Sequence, residues 1–166
     1  MAGALIVTAE MRSEDAAWLD ALRRSNYPAE RNQVPAHLTM FYALPPSVEV
    51  EIRGRLARAV RRQAPLASID GLMDLGGGVA FRVVSPDLDR IRDELAGELH
   101  GLLGAQDSGG WRPHVTIQNK VAPKTGRALK SSLERNFAPR RLGIAGLGLY
   151  RYLGGPWERL AIYSFR

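Results

Sequence analysis

The tetrapeptide pattern His-apolar-Thr-apolar occurs twice in this chain, as His37-Leu38-Thr39-Met40 and His114-Val115-Thr116-Ile117. The second copy follows the first by 77 positions in a chain of 166 residues that holds only three histidines and four threonines. Proline stands just ahead of each copy, at Pro35 and Pro113. A repeat separated by half the chain length is what duplication of one lobe leaves behind. It constrains the fold to two comparable halves, each with a strand that carries the motif.

The rest of the chain reads as strands and helices in alternation. A β-branched run at 4–10 predicts a strand, and Ser13 followed by Glu14 and Asp15 predicts the N-cap of a helix to about 24. The motif strand is expected at 37–44, and a helix from Pro45-Pro46-Ser47 to about 62, with Val50, Leu56, Ala57 and Val60 facing inward. Two strands at 66–75 and 78–85 meet at Gly76-Gly77, a hairpin turn and not a phosphate cradle, because no helix opens after it. Ser85-Pro86-Asp87 caps a helix closing at Gly104, with His100 late in it as a structural residue near the favourable end of the helix dipole. A loop, the second motif strand at 114–121, a helix at 123–135 and two strands near 142–152 and 158–165 follow, the last pair turning at Gly154-Gly155-Pro156. Short turns between strands argue α+β architecture with antiparallel sheets.

Several function classes drop out. There is no cysteine, so disulfides, thiol nucleophiles and Cys-zinc sites are excluded. No GxGxxG, Walker loop or GxSxG occurs. Neither motif has an Asp, Glu or Cys beside it to complete a metal site, so no metal and no cofactor is expected. The 23 Lys and Arg against 17 Asp and Glu give +6, which favours an anionic partner such as a nucleotide or RNA. The stretch MAGALIVTAEM lacks the basic region and length of a signal peptide, and no run is long enough to span a membrane, so a cytoplasmic protein is expected.

Strand alternation puts His37, Thr39 and Phe41 on one face, and His114, Thr116, Gln118 and Lys120 on one face of the second motif strand. Two such faces brought together make a cleft with two imidazoles and two hydroxyls. One imidazole can take a proton while the other gives one, and the hydroxyls can hold non-bridging phosphate oxygens. Lys120 is the candidate fixed charge and Phe41 the candidate aromatic contact. Trp111, Tyr150, Tyr152 and Trp157 read as core or hairpin packing, although such rings can also stack a base.

On these residues the chain resembles the two-histidine (2H) phosphoesterase superfamily, which includes bacterial 2′-5′ RNA ligases and cyclic nucleotide phosphodiesterases. The resemblance implies a single bilobal domain over 1–166, pseudo-twofold, with two antiparallel sheets facing a central groove and helices outside. It also implies that His37 and His114 are the acid–base pair and Thr39 and Thr116 the phosphate binders, without metal. The implied reaction opens a 2′,3′-cyclic phosphate, on an RNA end or a nucleotide, to a 2′-phosphate, with reversible 2′-5′ RNA ligation beside it. A non-catalytic RNA- or nucleotide-binding module and a small-metabolite cyclic phosphodiesterase are the alternatives. A monomer is expected, since the two lobes already supply the symmetric pair.

Overall fold

The computed structural model describes residues 3–166. In chain order it contains β1 (Leu5–Met11), α1 (Ser13–Asn26), β2 (Leu38–Leu44), α2 (Glu49–Ala59), β3 (Leu66–Asp74), β4 (Val79–Val84), α3 (Pro86–Glu98), a one-turn α4 (Ala105–Ser108), β5 (His114–Gln118), α5 (Pro123–Glu134), β6 (Arg140–Tyr152) and β7 (Trp157–Ser164). All strand pairings are antiparallel. The α+β class is as expected from the sequence. Among the described residues no helix is long and apolar enough to cross a membrane.

The seven strands form one sheet in the order β2-β1-β6-β3-β4-β5, with β7 also paired to β6. Two separate sheets were expected. They are joined because β6 has 13 residues, about 43 Å of extended chain. Its first residues pair with β3, and the remainder pairs with β1 and β7. Exchanging β1, β2 and β3 for β4, β5 and β6 gives the same order read from the other end. The strands carrying the two motifs, β2 and β5, therefore occupy equivalent ends of that order, and they also touch each other.

Local chemistry explains most element boundaries. The Ser85 hydroxyl accepts from the Leu88 amide at 3.1 Å, the N-cap bond expected for α3. The β3–β4 turn has Gly76 at φ +85°, a conformation open to glycine. At α1 the cap differs from expectation, since Arg12 takes that position without a side-chain bond and Ser13 is already helical. In α2 the residues 46–48 form a separate 3₁₀ turn. Helical phase starts at Glu49, so Ile52, Leu56 and Ala59 face the core, whereas Val50 is 86% exposed instead of inward. α3 ends at Glu98, which leaves His100 exposed beyond it.

Both motif strands carry an extra residue at the same place. Thr8 pairs with Thr39 but Val7 with Phe41, so Met40 bulges; Ala80 pairs with Thr116 but Val79 with Gln118, so Ile117 bulges. A bulge ends strict two-residue alternation. Phe41 is consequently turned into the core, fully buried, with the Arg92 guanidinium 4.3 Å from its ring centroid, and it presents no surface to a ligand. Its counterpart Gln118 is likewise buried. Lys120 lies past the end of β5, exposed, in the left-handed region at φ +60°, so strand period does not place it on the groove face. Phe41 therefore does not take the substrate-contact role that alternation assigned, and for Lys120 strand period no longer supports one. Phe41→Ala should accordingly lower folding stability by about 3–5 kcal/mol, the cost of a large core cavity, measured by urea unfolding.

Candidate active site

The two histidines are held by the same device. The His37 Nδ1–H donates to the carbonyl of Pro35 at 2.8 Å, and the His114 Nδ1–H donates to the carbonyl of Arg112 at 2.7 Å. A carbonyl can only accept, so each bond places the ring proton on Nδ1 and leaves Nε2 as the free, basic nitrogen. The neighbouring prolines make this local bond reproducible. Pro35 has a fixed φ and supplies the carbonyl of the first bond, while Pro113 restricts Arg112, whose carbonyl serves the second. His37 sits one residue ahead of β2 and His114 is the first residue of β5.

Thr39 is buried on β2 and Thr116 half-buried on β5. The Arg23 guanidinium of α1 crosses to the second motif and donates to the Thr116 carbonyl at 3.0 Å. It also donates to Asn32 Oδ1 at 2.8 Å and lies over the Tyr27 ring. On the other side Trp111 Nε1 donates to the Thr39 carbonyl at 3.0 Å, and Arg92 of α3 donates to the Met40 carbonyl at 3.1 Å. Sequence reasoning did not single out either arginine. A lone Arg on an amphipathic helix gives no signal that it is turned inward.

The electrostatics of the first imidazole are unusual. Burial, above all, pulls the His37 pKa down to about 4, against the contribution of its bond to Pro35. The charges of Arg23 and of His114 push it the same way, so both groups are close enough to be felt. Part of the covering is the Trp157 ring, tilted against the imidazole with centroids 4.5 Å apart.

A cavity of about 460 Å³ opens beside His37. Its walls include Trp157, Tyr150, Glu10, Gln33 and Arg159; of the four motif residues only His37 reaches it. Trp157 and Tyr150 were expected as hairpin packing, but they form its aromatic wall, 5.6 Å apart. Pairing of Tyr152 with Trp157 starts the β6–β7 hairpin, so its rings stand next to β1 and the first motif. The Glu10 carboxylate accepts from the Thr8 hydroxyl at 2.5 Å and from the Tyr150 hydroxyl at 3.0 and 3.1 Å. A Cβ at Gly148 would come within 2.7 Å of that carboxylate, so the cluster needs glycine beneath it. Among the described residues no three His, Asp or Glu side chains are grouped as a metal site.

The family model for the 2′-5′ RNA ligase superfamily matches residues 11–156. The chain belongs to that superfamily. Among solved structures, TT0787 of Thermus thermophilus aligns with a TM-score of 0.68 at 20% identity, covering 98% of each chain. Escherichia coli LigT complexed with 3′-AMP aligns at 0.58 with 15% identity, and LigT complexed with NADP⁺ at 0.61 with 14%, each covering 99% of both chains. At these identities the likeness is one of fold. Comparison with curated proteins gives no match.

The state of His37 couples the site to stability. The unfolded chain binds a proton at this residue near pH 6.5, whereas the folded protein resists it until about 4. Between those values the unfolded state holds more protons, so the contribution is complete above about 6.5 and is lost as pH falls toward 4. His37→Gln should flatten that part of the curve, read as a smaller drop in urea midpoint between pH 7 and pH 4.5 than in the parent protein.

Proposed function

We propose that this protein is a metal-independent phosphodiesterase that opens 2′,3′-cyclic phosphates, on an RNA end or a nucleotide, to the 2′-phosphate. The observation that carries the reading is the pair of matching Nδ1–carbonyl bonds, which leaves two Nε2 atoms available at the starts of β2 and β5, strands that touch although they end opposite sides of the sheet order. Paired proton transfer needs that arrangement, whereas simple phosphate binding does not. Membership of the superfamily supports it, and so does the likeness in fold to LigT, whose structures hold 3′-AMP and NADP⁺. The charge of +6 suits an anionic substrate.

In this reaction His37, kept neutral at pH 7, takes a proton from water through Nε2 as the oxygen attacks phosphorus. His114 as imidazolium gives its proton to O3′ as the P–O3′ bond breaks. The hydroxyls of Thr39 and Thr116 hold the non-bridging oxygens, where negative charge accumulates. The products are a 2′-phosphomonoester and a free 3′-hydroxyl. With an RNA 5′-hydroxyl in place of water as the attacking group, the same transfers break the P–O3′ bond and give a 2′-5′ linkage, and their reverse cleaves it back to the cyclic phosphate. The strand order, the two bulges and the two histidine bonds together support a bilobal, pseudo-twofold groove over the whole chain. A cytoplasmic monomer is the state that goes with it.

The direct test is turnover of a 2′,3′-cyclic nucleotide in EDTA. The parent protein should yield only the 2′-phosphate, and His37→Ala and His114→Ala should each lose on the order of 10²–10⁴-fold in rate. Activity surviving both substitutions would overturn the mechanism, and tight nucleotide binding without turnover would leave a binding module. With His37 as the base, kcat/KM should hold its value well below pH 6.5 and fall only toward its pKa of about 4.

A further inference from the structure

The cavity beside His37 has a chemistry that the phosphate reaction does not use. Phosphate oxygens are acceptors, yet the lining includes the hydrogen-bonded Glu10 carboxylate, itself an acceptor and a repellent for phosphate. Its position is fixed by the hydroxyls of Thr8 and Tyr150 and by the glycine at 148 beneath it. Tyr150 shares one proton between both carboxylate oxygens, and Thr8 adds a second donor to Oε2 only. A carboxylate has about four acceptor positions, so Oε1 keeps capacity for a donor from a bound molecule. Beside it stand the Trp157 and Tyr150 rings, two π surfaces of the kind on which a base stacks.

We propose that this cavity holds the nucleobase of the substrate and that Glu10 selects a base bearing an exocyclic amino group over uracil. The assignment rests on the phosphodiesterase reading in one respect, that the phosphate lies at His37. Cytosine and uracil have nearly the same shape and stack alike on Trp157. They differ at position 4, where cytosine offers an amine donor and uracil a carbonyl. The carboxylate accepts from the first and faces the lone pairs of the second. A site built around a fixed acceptor rejects the analogue that leaves it unpaired.

The experiment is calorimetric titration with cytidine 2′-phosphate and uridine 2′-phosphate, alongside kcat/KM for the two 2′,3′-cyclic pyrimidine nucleotides. The parent protein should favour cytidine by at least about tenfold, the scale of one well-placed base contact. Glu10→Gln, whose amide can present either its oxygen or its nitrogen, should bring the ratio near one, and Trp157→Leu should weaken both nucleotides alike. Equal affinity in the parent protein, no binding of either nucleotide, or a preference unchanged in Glu10→Gln would each overturn the assignment. The two readings fail separately. Selective binding without turnover removes the hydrolysis and keeps the base site, while equal turnover of both cyclic nucleotides removes the base site and keeps the hydrolysis.

Discussion

Two buried arginines tie the groove together. Arg23 reaches from α1 to the carbonyl of Thr116 on β5, and Arg92 reaches from α3 to the carbonyl of Met40 on β2. Each joins the helix of one half to the motif strand of the other. Among the described residues neither forms a side-chain ion pair that would account for its burial; burial lowers the pKa of both, and they are compensated by carbonyl oxygens and aromatic faces. Desolvating a guanidinium in this way is costly, and removing its partners would be costlier still. The consequence is geometric: β2 and β5 cannot slide past one another without stranding a charge, so the two imidazoles keep their relation.

The same corner shows how an exposed sheet edge is managed. β2 ends the strand order, and the Asp107 carboxylate from the one-turn α4 accepts from the amides of Tyr42 and Ala43 at 2.8 and 2.9 Å. Arg92 donates to the Asp107 carbonyl at 2.6 Å and holds the turn in place. Two of the amides that an added strand would need are thereby occupied.

Much of this was legible in the sequence. The Ser85 cap and the glycine turns are local signals that local rules read correctly, and the repeated His-x-Thr marks the starts of the two strands that carry it. What escaped was set by pairing between distant segments. Met40 and Ile117 bulge because β1 and β4 dictate the register, and no residue in either motif announces the shift. Period-two counting therefore carried Phe41 to a face it does not occupy, and it was applied to Lys120 past the end of the strand. Trp157 and Tyr150 failed differently, since a hairpin aromatic looks the same in sequence whether it fills a core or lines a cavity. Glu10 was silent as one acidic residue among many, and its meaning comes from Thr8, Tyr150 and Gly148 on three strand positions.

β7 is the strand that has no counterpart when the two halves are exchanged. Through Trp157 it covers the imidazole of His37. Two nearly equivalent histidines by themselves would make a groove with no head or tail, in which substrate could lie in either direction. A single added hairpin gives that groove a polarity. It brings an aromatic ring onto the His37 imidazole, and the proposed base site lies on that side. In the proposed reaction, the direction in which a chain lies across the site would thus be set by this hairpin, outside the part of the strand order that repeats.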